Sequence, residues 1–427
     1  MNNSPHVDLL ILGAGPAGLA AANACLKYGV NFRLVESGIL VGGRDHTKQE
    51  DLGRGVGGAG LYSDGKFSFF PSASSLWTIS PRTDLENAYT WVTNVLRRQS
   101  IPVPDLVSLT SFATAFPRAS SATFDFKPYP SFYASLDSRL KLIRELQEEV
   151  RDKIIPMARA VALSFTDREC RVKIKTDGAI MPTDLSAQSM ILATGRFGPI
   201  LIQTSNLPTT FRRVEIGIRV QQESANFFLA DRRELDPKLM ISNNGDGLEW
   251  RTFCCCREGE IVAIRDIGFT VLSGRSDVDP TGYCNVGFHV RFTDAKSADK
   301  IWKDVAARLR TGPIPVQMSL LDFIDAPEAS RSPLDNLFGS DAATALAVGL
   351  RKLVAYYGRH AFDDASLHGP TLEGFAYYPD VGSNLKVPGL PVWAAGDVSG
   401  MFRGIVAALV SGHFCGLQAS RALGAIP

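Results

Sequence analysis

Residues 7–36 read VDLLILGAGPAGLAAANACLKYGVNFRLVE, and this stretch decides the fold. Val7, Leu9, Leu10, Ile11 and Leu12 make a short aliphatic run, long enough for one buried parallel strand. Gly13, Gly15 and Gly18 follow, with Pro16 and Ala17 between them, at the spacing of a dinucleotide fingerprint. The first glycine permits a tight turn, the second lets backbone approach a pyrophosphate, and the third lets the next helix pack closely. Leu19 to Tyr28 is predicted helical and rich in alanine. Its N-terminal N–H groups and positive dipole end would face the phosphates. Gly29 ends the helix, Phe32 to Val35 is the second predicted strand, and Glu36 closes the unit. An acid at this point accepts hydrogen bonds from a ribose 2′-OH and repels a 2′-phosphate, so the unit suits FAD or NAD rather than NADP.

At 427 residues the chain exceeds what one ordinary domain needs, so two domains with sizeable cores are expected. A net charge of +1 offers no footprint for nucleic acid or an anionic membrane. Seven cysteines, an odd count with three adjacent at 254–256, do not read as a disulfide framework. They point to a reducing compartment, and the expected localisation is cytoplasmic. The first apolar run carries Asp8, lacks a basic leader and enters the glycines directly, unlike a signal peptide. No apolar stretch is long enough to predict a transmembrane helix.

Beyond Glu36 the segment SGILVGGRDHTKQEDLGRGVGGAGLYSDGKFSF is too dense in glycine for a regular helix or strand. Its alternatives are a long flexible loop or backbone laid closely against a large flat ligand, and a loop this long in a compact domain favours the second. Helices are predicted at Asp84–Gln99 and about Ala134–Lys153, separated by an irregular segment with Pro102, Pro104, Pro117, Pro128 and Pro130. Strands are predicted at Ala160–Phe165, Arg171–Lys175 and Met190–Ala193, a small meander that leads into Ala193-Thr194-Gly195. From about Ile200 the alternation in 214–221, 260–265 and 287–292 predicts antiparallel strands with one wet face. Helical patterns interrupt them at about Ala295–Leu309 and Asp341–Tyr357. A last strand, Val392–Ala395, and a helix from about Gly404 close the chain. Outside 13–18 no second fingerprint occurs, so one dinucleotide and no separate NAD(P)H domain is expected.

GAGPAG with Glu36, ATG at 193–195 and AAGD at 394–397 together resemble FAD-binding proteins of the glutathione-reductase type. Further stretches (GVGGAGLYSDGKF at 55–67, ATGRFGP at 193–199, VEIGIRVQ at 214–221, RTFCCCREGE at 251–260, AAGDVSGMFRGIVAALVSG at 394–412) are similar to a family known as FAD-dependent dehydrogenases, of undefined substrate. Cys255 and Arg257 stand where that family tends to have methionine and proline.

The resemblance implies FAD as cofactor, and NAD(P)H enters as a transient co-substrate in the monooxygenase alternative. It implies FAD contacts from Gly13, Gly15, Pro16, Ala17, Gly18, Glu36, Ser37, Gly43, Arg44, Gly58, Ala59, Gly60, Val161, Ala193, Thr194, Gly195, Gly396, Asp397, Arg403, Gly404 and Ile405. Asp397 would hydrogen-bond the ribityl–pyrophosphate part, Arg44 would neighbour a phosphate, and the helix from Gly404 would face the flavin N1–C2=O edge.

The implied fold is α/β. A Rossmann-type FAD-binding domain (parallel sheet with helices and a β-meander) spans 1–199, with an irregular insert at about 100–133, and 381–427. A second, mainly antiparallel α+β substrate domain spans 200–380.

Candidate catalytic residues are Lys66, His289, Arg291, Tyr377 and Arg403. Lys66 would neutralise a substrate acid or sit by flavin N5, or else form a structural ion pair. Arg403 directly precedes the last helix. His289 and Arg291 share one strand face, as acid/base and anion clamp if that face is inward and as surface residues if outward. Tyr377 and Tyr378 line a substrate pocket or a core. Cys254, Cys255 and Cys256 read first as buried or loop-lining residues, with redox action as the alternative. No metal-ligand spacing is present.

The expected function is an FAD-dependent oxidoreductase exchanging a hydride between flavin N5 and a small organic substrate. A single-component FAD monooxygenase using NAD(P)H and O2 is the alternative, and a non-catalytic flavin-binding sensor the third. No nucleic-acid partner is expected, and oligomeric state is open.

Overall fold

The computed structural model describes residues 7–104, 124–126, 129–242, 247–266, 268–310, 315–327 and 332–426. The aliphatic run forms the strand Val7–Leu12, with a parallel neighbour on each side. Phe32–Val35 pairs from Leu9↔Phe32 to Leu12↔Val35, and Thr183–Leu192 pairs on the other edge. Across the sheet the order is Ile154–Ile155, Phe32–Val35, Val7–Leu12, Thr183–Leu192, Cys170–Thr176 and Ala158–Phe165, and Val392–Ala394 also joins Thr183–Leu192. The first four and Val392–Ala394 run parallel, while Ala158–Phe165, Cys170–Thr176 and Thr183–Leu192 form an antiparallel meander. A strand covered on both faces needs no polar alternation, which is why 9–12 are all apolar and buried.

The first helix is Pro16–Lys27, starting three residues before the predicted Leu19 because Pro16 sits comfortably in a first turn. Its alanines serve a helix–helix contact. A Cβ on Gly412 of the last helix, Ile405–Ala422, would lie 2.0 Å from the Ala17 carbonyl oxygen, and one on Gly416 would lie 2.6 Å from that of Ala21. Gly412→Ala should therefore cost about 1–3 kcal/mol, because overlap with backbone is relieved only by moving a helix. Urea unfolding measures this, and an unshifted midpoint would mean the two helices separate freely.

The other predicted helices appear as Arg82–Arg98, Leu136–Glu148, Ala295–Arg310 and Ser340–Tyr357. The second of these is shorter than predicted. Ser135 caps it by accepting from the Ser138 N–H at 3.2 Å, and it gives way to a 3-10 turn at Arg151–Lys153. The glycine-rich segment contains three short helical turns, at Val41–Gly43, Gln49–Gly53 and Ala59–Tyr62.

The chain divides into two compact units: Met1–Phe116 with Phe132–Thr210 and Tyr377–Pro427, and Pro117–Ser131 with Phe211–Ala376. Much of the segment expected to be irregular, including Pro117 and Pro128, lies outside the described residues. Its strand Phe124–Phe126 pairs with Leu239–Ser242 and is an edge of the second unit's sheet.

That sheet has seven strands, in the order Val316–Ser319, Ser366–Pro379, Thr209–Glu223, Tyr283–Phe292, Leu248–Cys256, Leu239–Ser242, Phe124–Phe126. Its antiparallel pairing was expected, and so was a wet face, which the central strands do not have. In the central strands both faces are buried, Glu215, Arg219, Asn285 and His289 included. One face takes Ser340–Tyr357, where Gly349 leaves room for the Trp250 ring and the Trp250 Nε1–H donates to the Ala345 carbonyl at 2.8 Å. The opposite face carries the charged residues, of which Arg213, Arg251 and Arg291 pair with Glu215.

Candidate functional site

The turn after the first strand distinguishes three glycines by what surrounds them. Gly13 has φ +98°, and a Cβ there would lie 2.4 Å from the Ala193 carbonyl oxygen. A Cβ on Gly18 would lie 1.7 Å from the Gly13 carbonyl oxygen. Both positions demand glycine for the fold itself. Gly15 does not: its φ of −69° and ψ of −177° suit any residue, and its Cβ would meet only the Gly58 Cα, at 3.8 Å. The protein leaves open space at the one fingerprint position where neither conformation nor packing requires it.

Several of the sequence-predicted residues converge on this place. Gly58 faces Gly15, a Cβ on Gly60 would lie 3.0 Å from Ile405, and a Cβ on Gly396 would lie 3.2 Å from Ala17. The backbone is held by Gly57 N–H to the Ala14 carbonyl, Gly13 N–H to Val35, Ala193 N–H to Leu12 and Ala395 N–H to Leu192, each at 2.8 Å. Two helices begin here, at Pro16 and Ile405, with Gly15 and Gly404 as N-caps. Neither cap position makes a side-chain hydrogen bond, and neither first turn carries an acidic residue. The first-turn N–H groups, which a helix leaves without intrahelical partners, and the dipole ends thus favour a negatively charged partner. Thr194 Oγ1 is buried with no hydrogen-bond partner among the described residues. Gly195 and Gly404 have positive φ and nothing within 4 Å of a built Cβ.

Glu36 is buried, and its carboxylate gathers the turn. Oε2 accepts from the Ala14 N–H at 2.8 Å, while Oε1 accepts from Gly38 N–H, Gly55 N–H and Ser37 Oγ. Oε2 therefore keeps acceptor capacity and Oε1 does not. Arg44 is not laid open for a phosphate. It is buried, donates to the carbonyls of Asp51, Val56, Gly58 and Gly55, and lies over the Tyr62 ring. Burial lowers its basicity, against the opposing effect of Tyr62, Glu36 and Asp51, and a guanidinium stays charged through such a shift. Gly43 belongs to the short turn after Leu40. Val161 stands 40% exposed beside a bulge in its strand. Asp397 pairs with Arg403, its Oδ2 3.6 Å from Nε.

The proposed catalytic side chains do not form one cluster within a unit. Lys66 pairs with Asp64 at 3.2 Å, and both are largely buried. The Tyr377 carbonyl accepts from Gln203, and Tyr378 is a core residue. His289 and Arg291 are in the second unit, and the outward alternative fails for His289, which has no exposed surface.

The sequence reading missed why. Glu215, fully buried, is the hub of that sheet's charged face. Its Oε1 accepts from Arg251 Nε at 2.6 Å and lies 3.4 Å from His289 Nδ1, while its Oε2 accepts from Arg213 at 3.0 Å and Arg291 at 3.2 Å. His289 Nε2 lies 2.6 Å from Thr371 Oγ1. Two glycines seat the neighbours: a Cβ on Gly217 would strike His289, and one on Gly287 would strike the Phe253 ring. Burial by itself pushes the Glu215 carboxyl up. Arg251 and Arg291, then His289 and Arg213, outweigh that and hold it well below the usual carboxylate range. Alternating Glu and Arg on neighbouring strands was the available signal, but strand partners were not known.

No disulfide joins any of the seven cysteines. Cys255 and Cys256 are buried at a bulge where Cys254 has φ +50°, and Arg219 donates to the Cys254 carbonyl at 2.6 Å with Cys256 Sγ at 3.7 Å. Among the described residues no helix is long and apolar enough to cross a membrane.

No protein-family model matches the chain, and no curated protein does. Among solved structures, it is similar to a flavoprotein/dehydrogenase from Cytophaga hutchinsonii, with 12% identity over 98% of this chain and 79% of that one, at a TM-score of 0.40. A geranylgeranyl bacteriochlorophyll reductase-like protein from Thermoplasma acidophilum gives 12% identity over the same shares, at a TM-score of 0.44. The rebeccamycin biosynthetic enzyme RebC gives 16% identity over 99% of this chain and 64% of that one, at 0.41. Each is a faint structural likeness at low identity.

Proposed function

We propose that the first unit holds FAD and that the chain is an FAD-dependent oxidoreductase exchanging a hydride with a small organic substrate. The observation that carries this reading is the open position at Gly15, set where two helices with glycine N-caps begin. A pyrophosphate fits there: its charge meets the helix N-terminus and the backbone N–H groups, and no side chain stands in its way. Glu36 Oε2 supplies the acceptor for a ribose hydroxyl, and Thr194 Oγ1 and Asp397 supply polar contacts further along. The Gly404 end of the last helix would stabilise negative charge on a reduced flavin ring. Bound FAD supplies the hydride chemistry, and the protein supplies orientation and electrostatics.

The test is the visible spectrum of the purified protein, followed anaerobically with NADH or NADPH. Yellow protein whose colour bleaches with NADH, NADPH or an organic hydride donor supports the reading, and oxygen readmission with candidate substrates separates dehydrogenase from monooxygenase behaviour. Colourless protein that FAD does not reconstitute would overturn it. Asp397→Ala should purify with a small fraction of the wild-type flavin, and full flavin content in that variant would remove Asp397 from the site.

A further inference from the structure

Two buried arginines hold the glycine-rich segment from behind. Arg44 Nη1 donates to the carbonyls of Val56 at 2.9 Å and Gly58 at 3.0 Å, with Gly55 at 3.5 Å, and its Nη2 donates to Asp51. Arg139, from the helix Leu136–Glu148, has 1% of its surface exposed. It donates to the carbonyls of Leu61, Ser63 and Ala134. Arg44 makes no ion pair among the described residues, so its charge is directed at backbone oxygens.

A trans peptide is planar, so the carbonyl of one residue and the N–H of the next point in opposite directions. Turning the Gly55 and Val56 carbonyls onto Arg44 should aim the Val56 and Gly57 N–H groups the other way. They do donate there, to Ile39 at 2.9 Å and Ala14 at 2.8 Å. By the same rule the Gly58 carbonyl on Arg44 aims the Ala59 N–H away from the guanidinium, and Gly58 itself lies against Gly15. Gly55 is glycine because a Cβ would lie 2.8 Å from Arg44 Cδ.

We propose that Arg44 and Arg139 are positioning residues for the cofactor: they fix the peptide orientations of residues 51–63 so that this wall of the site is formed before FAD arrives. The inference rests on the FAD reading of the site. Neither arginine touches the cofactor in this scheme. They act through the carbonyls they hold, and a lysine, with no planar fork, reaches too few of those carbonyls to replace them.

The experiment uses the full-length chain, Arg44→Lys, Arg44→Ala and Arg139→Lys, each stripped of flavin and then titrated with FAD by flavin fluorescence. Hydrogen exchange is read by peptide on the flavin-free forms. Both lysine variants should lose protection in 51–63 while keeping it in the strands Val7–Leu12 and Thr183–Leu192, and should bind FAD roughly 10- to 100-fold more weakly. Added guanidinium ion should restore part of the affinity of Arg44→Ala, where ammonium ion should not. A merely structural role would lower protection throughout without changing the affinity of the folded fraction. Wild-type FAD affinity in both lysine variants, or protection in 51–63 unchanged, overturns the proposal while leaving the FAD reading intact. Failure of the wild-type protein to bind FAD overturns both.

Discussion

Gly15→Leu should yield a folded protein that binds little FAD. A Cβ there meets no protein atom closer than the Gly58 Cα at 3.8 Å, and the backbone angles are ordinary, so neither the attachment of a side chain nor its backbone strains the fold. The side chain would instead occupy the space assigned to the pyrophosphate. The expected loss of FAD affinity is ~100-fold or more, equivalent to about 2.7 kcal/mol. The melting temperature of the flavin-free protein should hardly move. Gly18→Ala is the contrasting control: its Cβ falls 1.7 Å from a carbonyl oxygen, so it should lower stability before any question of cofactor arises. A Gly15→Leu protein with wild-type flavin content would dismiss the site. One that fails to fold would show that Gly15 serves packing after all.

The largest stability effect is expected from Glu215→Gln. Removing the carboxylate charge leaves Arg213, Arg251 and Arg291 crowded together in a mostly dry face, and breaking a buried pair of this kind costs about 3–5 kcal/mol. The pH dependence follows from the depressed carboxyl. A carboxyl that is more acidic folded than unfolded adds stability above its unfolded pKa of about 4.3, and loses it as pH falls through the folded value. The gap between wild type and variant should therefore be full at neutral pH and shrink below about pH 4. Urea unfolding across that range measures it. A gap that is small at pH 7, or that widens in acid, would mean the arginines are satisfied without Glu215.

The first domain was legible because its signals are local. A buried parallel strand is an apolar run, and Val7–Leu12, Phe32–Val35 and the last helix lie within a residue or two of their predicted bounds, while the first helix starts at Pro16, three residues ahead of its prediction. The meander strands were recognisable from short β-rich runs between turns, although Thr183–Leu192 extends seven residues upstream of its predicted start at Met190. Residues 51–63 were legible only as glycine-rich. Their shape depends on Arg44 from just upstream and Arg139 from a helix some eighty residues away, and a carbonyl caught by a distant guanidinium leaves no mark in composition.

The sequence by itself determined the βαβ unit, the glycines that the turn and the packing require, and the acid that ends the second strand. Each of these is set mainly by sterics and hydrogen bonding within residues 7–36, with the Ala193 carbonyl closing on Gly13 from further along the chain. Only the tertiary structure decided which fingerprint glycine is spare, since that depends on Gly58 arriving opposite Gly15. It alone decided that the alternating charges of the second unit are buried. Alternation tells which residues share a face, and whether water or another layer meets that face is settled by elements far away in the chain.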